Sequence, residues 1–137
     1  MQFLIFAITY PIIWLLSLLP MRILYLLSDF LYLIFFYLIG YRKKVVLENL
    51  QLAFPNKELN ELRTIQKKFF KHFTDIFIES IKAFTISQKT LTKRYKYTNP
   101  ELIDELYDKG RSIAFMGAHQ ANWEWSISIP LFVKIKC

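Results

Sequence analysis

Cysteine is almost missing from this chain: the one residue, Cys137, is also the last. A lone thiol excludes a disulfide framework and a cysteine-ligated zinc site. With no three residues behind it, Cys137 also lacks the context for prenylation and is expected to be inert. Charge is missing from the first forty residues, where only Arg22 and Asp29 ionise. The start Met1-Gln2-Phe3 carries no positive charge, and no A-x-A-like site follows the apolar stretch. A cleaved signal peptide needs both, so the segment is expected to be retained. Repeats, low-complexity tracts and nucleic-acid fold signatures are absent too, so no nucleic-acid partner is expected despite the basic charge.

What is present divides into two regions. The 137 residues suit one small domain by length, but 54% of them are hydrophobic, above the globular average and unevenly spread. Residues 3–19 and 23–39 form two apolar runs separated by Pro20-Met21-Arg22, each at the short end of what a membrane span needs. Two geometries are open: a tight helical hairpin, or one span with a second helix lying against the bilayer. Asp29 favours the second, because a carboxylate inside a membrane is costly and finds a partner or an interface. Arg42, Lys43 and Lys44 follow at once, and the positive-inside bias puts them in the cytoplasm. The expected organisation is a membrane anchor over 1–40 and a charged domain over 41–137. The net charge of +7 lies mostly in the second region and favours anionic head groups or acidic partners.

Past Tyr41, apolar spacing predicts a short helix over 45–52, closed by Ala53-Phe54-Pro55-Asn56. A longer amphipathic helix is predicted from Leu59 to near Phe84. Its packing face would carry Leu62, Ile65, Phe69, Phe73, Ile76, Phe77 and Phe84. His72 shares that helix with Asp75 and Glu79 and reads as a surface residue. A further short helix is predicted over 101–106, opened by Asn99-Pro100 and closed by Lys109-Gly110.

The chemistry is expected in the next stretch. Ile113 to Met116 is a continuous apolar run, as in a strand covered on both faces, and Gly117 and Ala118 allow a close turn. His119 follows, then Gln120-Ala121-Asn122-Trp123-Glu124-Trp125, with Asn122 as an N-cap and Glu124 in the first helical turn. His119 and Glu124 form an H-x4-E pair. On one continuous helix five residues turn through about 140°, so the two side chains would diverge. A turn between them lets the carboxylate hold one imidazole nitrogen while the other takes a proton from a hydroxyl. The bland alternative is a surface histidine and a helix-start glutamate.

This stretch resembles the H-x4-D/E signature of the lipid A biosynthesis (lauroyl/myristoyl) acyltransferases, here as His119, Asn122, Trp123 and Glu124. The likeness extends upstream through Tyr41-Arg42-Lys43-Lys44-Val45-Val46, Glu48-Asn49-Leu50, Ala53-Phe54-Pro55, Phe69-Phe70-Lys71-His72-Phe73-Thr74-Asp75 and Glu79-Ser80-Ile81-Lys82. It implies an α/β fold: a membrane helix or hairpin, then the start of a glycerolipid-acyltransferase-like domain. It implies an inner-membrane enzyme, its catalytic part facing the cytoplasm, moving a fatty acyl group from acyl carrier protein to a lipid hydroxyl. His119 would be the general base and Glu124 its orienting partner, with Asn122 and Trp123 contacting substrate. No metal or cofactor is expected. Two departures stand out. The family pattern has glycine where this chain has Ala118 and Ala121, which is tolerable only at negative φ. Residues 131–137 do not read as the family's continuation, so a truncated or frameshifted reading frame is expected. The alternatives are a non-catalytic membrane-bound remnant, or an acyltransferase acting on a lysophospholipid or amino-acid lipid.

Overall fold

The computed structural model describes residues 2–118 and 120–134, and every regular element among them is helical. Helix α1 covers Gln2–Leu18 and α2 covers Met21–Leu33. The break falls at Pro20, whose ring ends one helix and whose fixed φ suits the start of the next. Helix α2 runs on into a π-helical segment, Ile34–Ile39, and stops at Gly40, which turns left-handed at φ 65°. That stop coincides with the change in composition. Helix α3 (Lys43–Ala53) ends ahead of Pro55, as its stop signal requires. Helix α4 (Leu59–Lys82) is the longest, and the amide of Glu58 donates to the Glu61 carboxylate at its start. Helix α5 (Gln88–Arg94) opens on Ser87, whose hydroxyl accepts from the Thr90 amide. Helix α6 (Glu101–Asp108) is followed by Gly110 at φ 66°, and a 3₁₀ segment spans Trp123–Leu131.

The expected α/β fold is not observed. No strand occurs among the described residues, and the predicted strand over 113–116 is irregular backbone. Phe115 is 64% exposed and Met116 98%, the reverse of a doubly covered strand. A strand is stable only as a member of a ladder, and no described segment lies beside this one to supply the other half. An apolar run alone does not make a strand.

The core is the seam between α2 and α4, which run antiparallel. Ser28 donates to Asp75 at 2.6 Å, Lys71 pairs with Asp29 at 3.1 Å, and the Phe36 and Phe70 rings meet edge-on at 5.4 Å. Numbers rise on α2 as they fall on α4. Asp29 thus finds its partner on protein. The buried row of α4 is Leu62, Gln66, Phe70, Thr74 and Ile78, each 4% exposed or less. Of the packing face expected from sequence, only Leu62 belongs to it; Phe69, Phe73, Phe77 and Phe84 lie on the exposed surface. Residues four apart advance about 40° around a helix, so α4 carries parallel rows. Phe69, Phe73 and Phe77 flank the buried row on one side, and Lys71, Asp75 and Glu79 flank it on the other. Polar bonds from α2 select the second flank.

Helix α1 touches this body only at its end. Lys82 donates to the carbonyls of Ser17 at 2.7 Å and Leu19 at 3.1 Å, and the Thr85 hydroxyl also reaches Ser17. A cation on the last carbonyls suits a helix C-terminus. Beyond that collar Phe3, Ile5, Ile8, Ile12 and Leu15 are each more than half exposed.

Candidate active site

The segment expected to carry the chemistry is docked on α4 by two side chains of opposite character. Trp125 is an apolar anchor, 4% exposed, whose indole N–H donates to the Glu79 main-chain carbonyl at 3.3 Å. Asn122 is 7% exposed, and its Nδ2 donates to Glu79 Oε2 at 2.8 Å. The other carboxylate oxygen of Glu79 accepts from the Tyr25 hydroxyl on α2, and Arg94 of α5 donates to that hydroxyl at 3.1 Å. Two donors from distant segments meet at this carboxylate, and Arg94 reaches it through the Tyr25 hydroxyl. On the far side of the 3₁₀ segment, Tyr97 donates to the Ser126 carbonyl at 2.7 Å and packs against the Phe132 ring at 5.0 Å. Burial there pushes the Tyr97 phenol above its usual range.

Of the four expected site residues, three lie within the described chain. Asn122 stands at the N-cap position, but its side chain makes no cap bond and turns to Glu79 instead. Glu124 falls in the first turn, as expected, and is exposed. Trp123 is 40% exposed beside it. His119 lies outside the described residues. Asn122 Oδ1 is buried without a hydrogen-bond partner. An acceptor left so costs about 1–3 kcal/mol, which a donor arriving from elsewhere would recover.

Backbone strain sits in the same turn. Ala121 has φ 50°, a left-handed conformation that a side chain with Cβ enters at a cost of about 1–2 kcal/mol. Negative φ, the condition for alanine here, therefore fails at 121; position 118 is not among the residues with positive φ. Glu79, Tyr25 and Arg94 were not singled out as site residues from sequence. The available signal was the row Lys71, Asp75, Glu79 with four-residue spacing, a polar flank on a helix whose other flank is phenylalanine.

At the opposite end of the seam, Lys43, Lys44, Arg63 and Lys67 line an open cleft with Phe36, Tyr37, Leu47 and Gln66. Among the described residues, no carboxylate lines it. Lys43 also sits over the Phe36 ring at 4.1 Å.

The sequence model of the family described as bacterial lipid A biosynthesis acyltransferase matches residues 2–130. The chain belongs to that family. No curated protein and no solved structure matches it. The acyltransferase family implies an acyl donor and a lipid acceptor, and the apolar N-terminal helices associate the protein with membrane. For this acyltransferase, the left-handed backbone at 121 suits glycine better than the alanine that stands there. Ala121→Gly should therefore relieve the turn and raise stability by about 0.5–1 kcal/mol, the left-handed strain less the added freedom of the unfolded chain. Chemical denaturation in detergent reads this directly; a loss of stability would show that the turn is not left-handed at 121.

Proposed function

We propose that the protein transfers a fatty acyl group from acyl carrier protein to a hydroxyl of a lipid A precursor or related membrane lipid. The observation that carries this is the family match over residues 2–130. His119 acts as general base and Glu124 orients its imidazole. The base removes the proton of the acceptor hydroxyl as its oxygen attacks the thioester carbonyl carbon. The carbon–sulfur bond then breaks, and the carrier thiol leaves with the proton. Asn122 and Trp123 contact substrate, and the unpartnered Oδ1 of Asn122 is an acceptor for a substrate donor. Leu102, Ile103, Leu106, Ile113 and Ile129 line an apolar cleft beside Gly117 that suits an acyl chain. The four-cation cleft on the body suits an anionic partner, whether head group or carrier protein.

A second reading is favoured by one observation. Phe115 and Met116 of the apolar run stand exposed, with no sheet around them among the described residues. On that reading the chain is a membrane-bound, non-catalytic form. Membranes containing the chain, supplied with acyl carrier protein bearing a labelled fatty acid, decide between the two. Label appearing in lipid, and lost with His119→Ala, supports the enzyme; no label in lipid supports the second reading.

We read the anchor more narrowly than residues 1–40, and the packing of α2 supports this reading. Met21–Ile39 is long and apolar enough to cross a bilayer, but α4 lies along it. If it crossed, Lys67, Lys71, Asp75 and Glu79 would share its depth. At about 2.5–3.5 kcal/mol each, four such groups cost on the order of 10 kcal/mol, comparable to the whole stability of a domain. Helix α1, uncovered before its last turn, enters the inner membrane, while α2 lies against the surface with the body in the cytoplasm. In a Cys137→Ser background, Asp29→Cys should react with a membrane-impermeant maleimide added from the cytoplasmic side, and Ile8→Cys should not. A shielded Asp29→Cys would restore the two-span hairpin.

A further inference from the structure

Among the described residues, the Glu79 side chain touches both the membrane-proximal helix and the segment read as reactive. Its two carboxylate oxygens are divided between them: one accepts from Tyr25 of α2, the other from Asn122. A carboxylate can only accept, so it dictates which way the Asn122 amide turns. The NH₂ end must face Glu79, and Oδ1 must point away from it. That is the atom found buried without a donor. With a neutral or absent partner at 79 the amide could reverse, and the acceptor would be lost from that side.

We propose that Glu79 is a positioning residue of the acyltransferase: it fixes the Asn122 amide with Oδ1 as the presented acceptor, and it anchors the turn before Glu124 to α4. Its value for catalysis rests on the reading of His119 and Glu124 as the reacting pair. The positioning itself does not depend on activity and is tested without it.

The chain holds five asparagines and three tryptophans, so selective ¹⁵N labelling of both residue types gives five side-chain NH₂ pairs and three indole N–H signals in an NMR spectrum of the intact protein in micelles. The pair missing in Asn122→Asp assigns the residue. In the unaltered protein the Asn122 pair should exchange slowly with solvent. In Glu79→Ala its exchange should rise roughly tenfold or more as the hydrogen bond is lost. The Trp125 indole N–H is the internal control, because it donates to the main-chain carbonyl of residue 79, which every substitution keeps. It should stay protected. Glu79→Gln keeps an acceptor oxygen but can also donate, so it should restore the Asn122 protection only in part. Asn122 protection unchanged in Glu79→Ala overturns the proposal. Equal loss at Asn122 and Trp125 in both variants also overturns it, by showing a general undocking rather than positioning by the side chain. Failure of the catalytic reading would appear elsewhere, as acyl transfer indifferent to His119→Ala.

Discussion

His119→Ala should lower acyl transfer by about 10²–10⁴-fold, the usual cost of removing a general base, while membrane insertion and helical content stay unchanged. The size of the effect follows from the chemistry. A lipid hydroxyl is a poor nucleophile until its proton is taken, and no other residue from Ala118 to Trp125 can take it near neutral pH except a carboxylate. Glu124→Gln should cost less than His119→Ala, because the amide can still hydrogen-bond to an imidazole nitrogen while its charge is gone. Initial rates on membranes, with labelled acyl donor in excess, give both numbers. A Glu124→Gln loss as large as that of His119→Ala would sink the assignment of roles, since it would make the carboxylate the base. Transfer that survives both would remove the pair from the mechanism.

Much of the helical layout was legible because helix ends are local chemistry. Pro20, Gly40, Pro55 and Gly110 each act on the backbone of their immediate neighbours, and the helices start or stop at them. Asp29 was legible as well, since the cost of burying a charge predicts a partner without saying which; Lys71 is the partner. The buried row of α4 was not legible. That helix carries phenylalanine at 69, 70, 73 and 77, enough apolar residues for two adjacent rows, and periodicity alone favoured the wrong one. The choice is made by the other helix. Tyr25 and Ser28 reach Glu79 and Asp75, which rotates Phe70 inward and leaves Phe69 outside. Gln66 and Thr74 look polar in sequence, yet they fill buried positions because each finds an acceptor: Gln66 donates to the Lys43 carbonyl and Thr74 to that of Lys71 at 2.8 Å. The strand failed for a related reason. A helix closes its hydrogen bonds within itself, whereas a strand needs a neighbour that no local pattern reports. In the site, Asn122 was legible as a residue of interest but not in its role, since a local N-cap and a bond to Glu79, 43 residues away in sequence, look alike from the sequence.

The seam offers the second large effect, and it discriminates between the two rows. Phe70→Ala should destabilise the protein by about 3–5 kcal/mol, as for a fully buried phenylalanine whose cavity cannot collapse. Phe70 is 1% exposed, with Phe36 at 5.4 Å on one side and Phe69 at 5.5 Å on the other. Phe69→Ala, one residue earlier on the same helix, removes a ring that is 46% exposed and should cost under about 1 kcal/mol. Unfolding in a mild detergent, followed by helical signal against denaturant, compares the two. Equal losses would place the buried row wrongly. The comparison has a consequence beyond stability. On the proposed topology, helix α2 stays at the surface only while α4 covers its polar flank, because Tyr25, Ser28 and Asp29 are satisfied by Glu79, Asp75 and Lys71. Loosening the seam at Phe70 weakens that cover and leaves an apolar helix of spanning length free to insert. In Phe70→Ala, maleimide reaction at Asp29→Cys should therefore fall relative to the same cysteine with Phe70 intact. Packing and topology are set by the same contact, and a Phe70→Ala variant that lost stability without any change at position 29 would separate them.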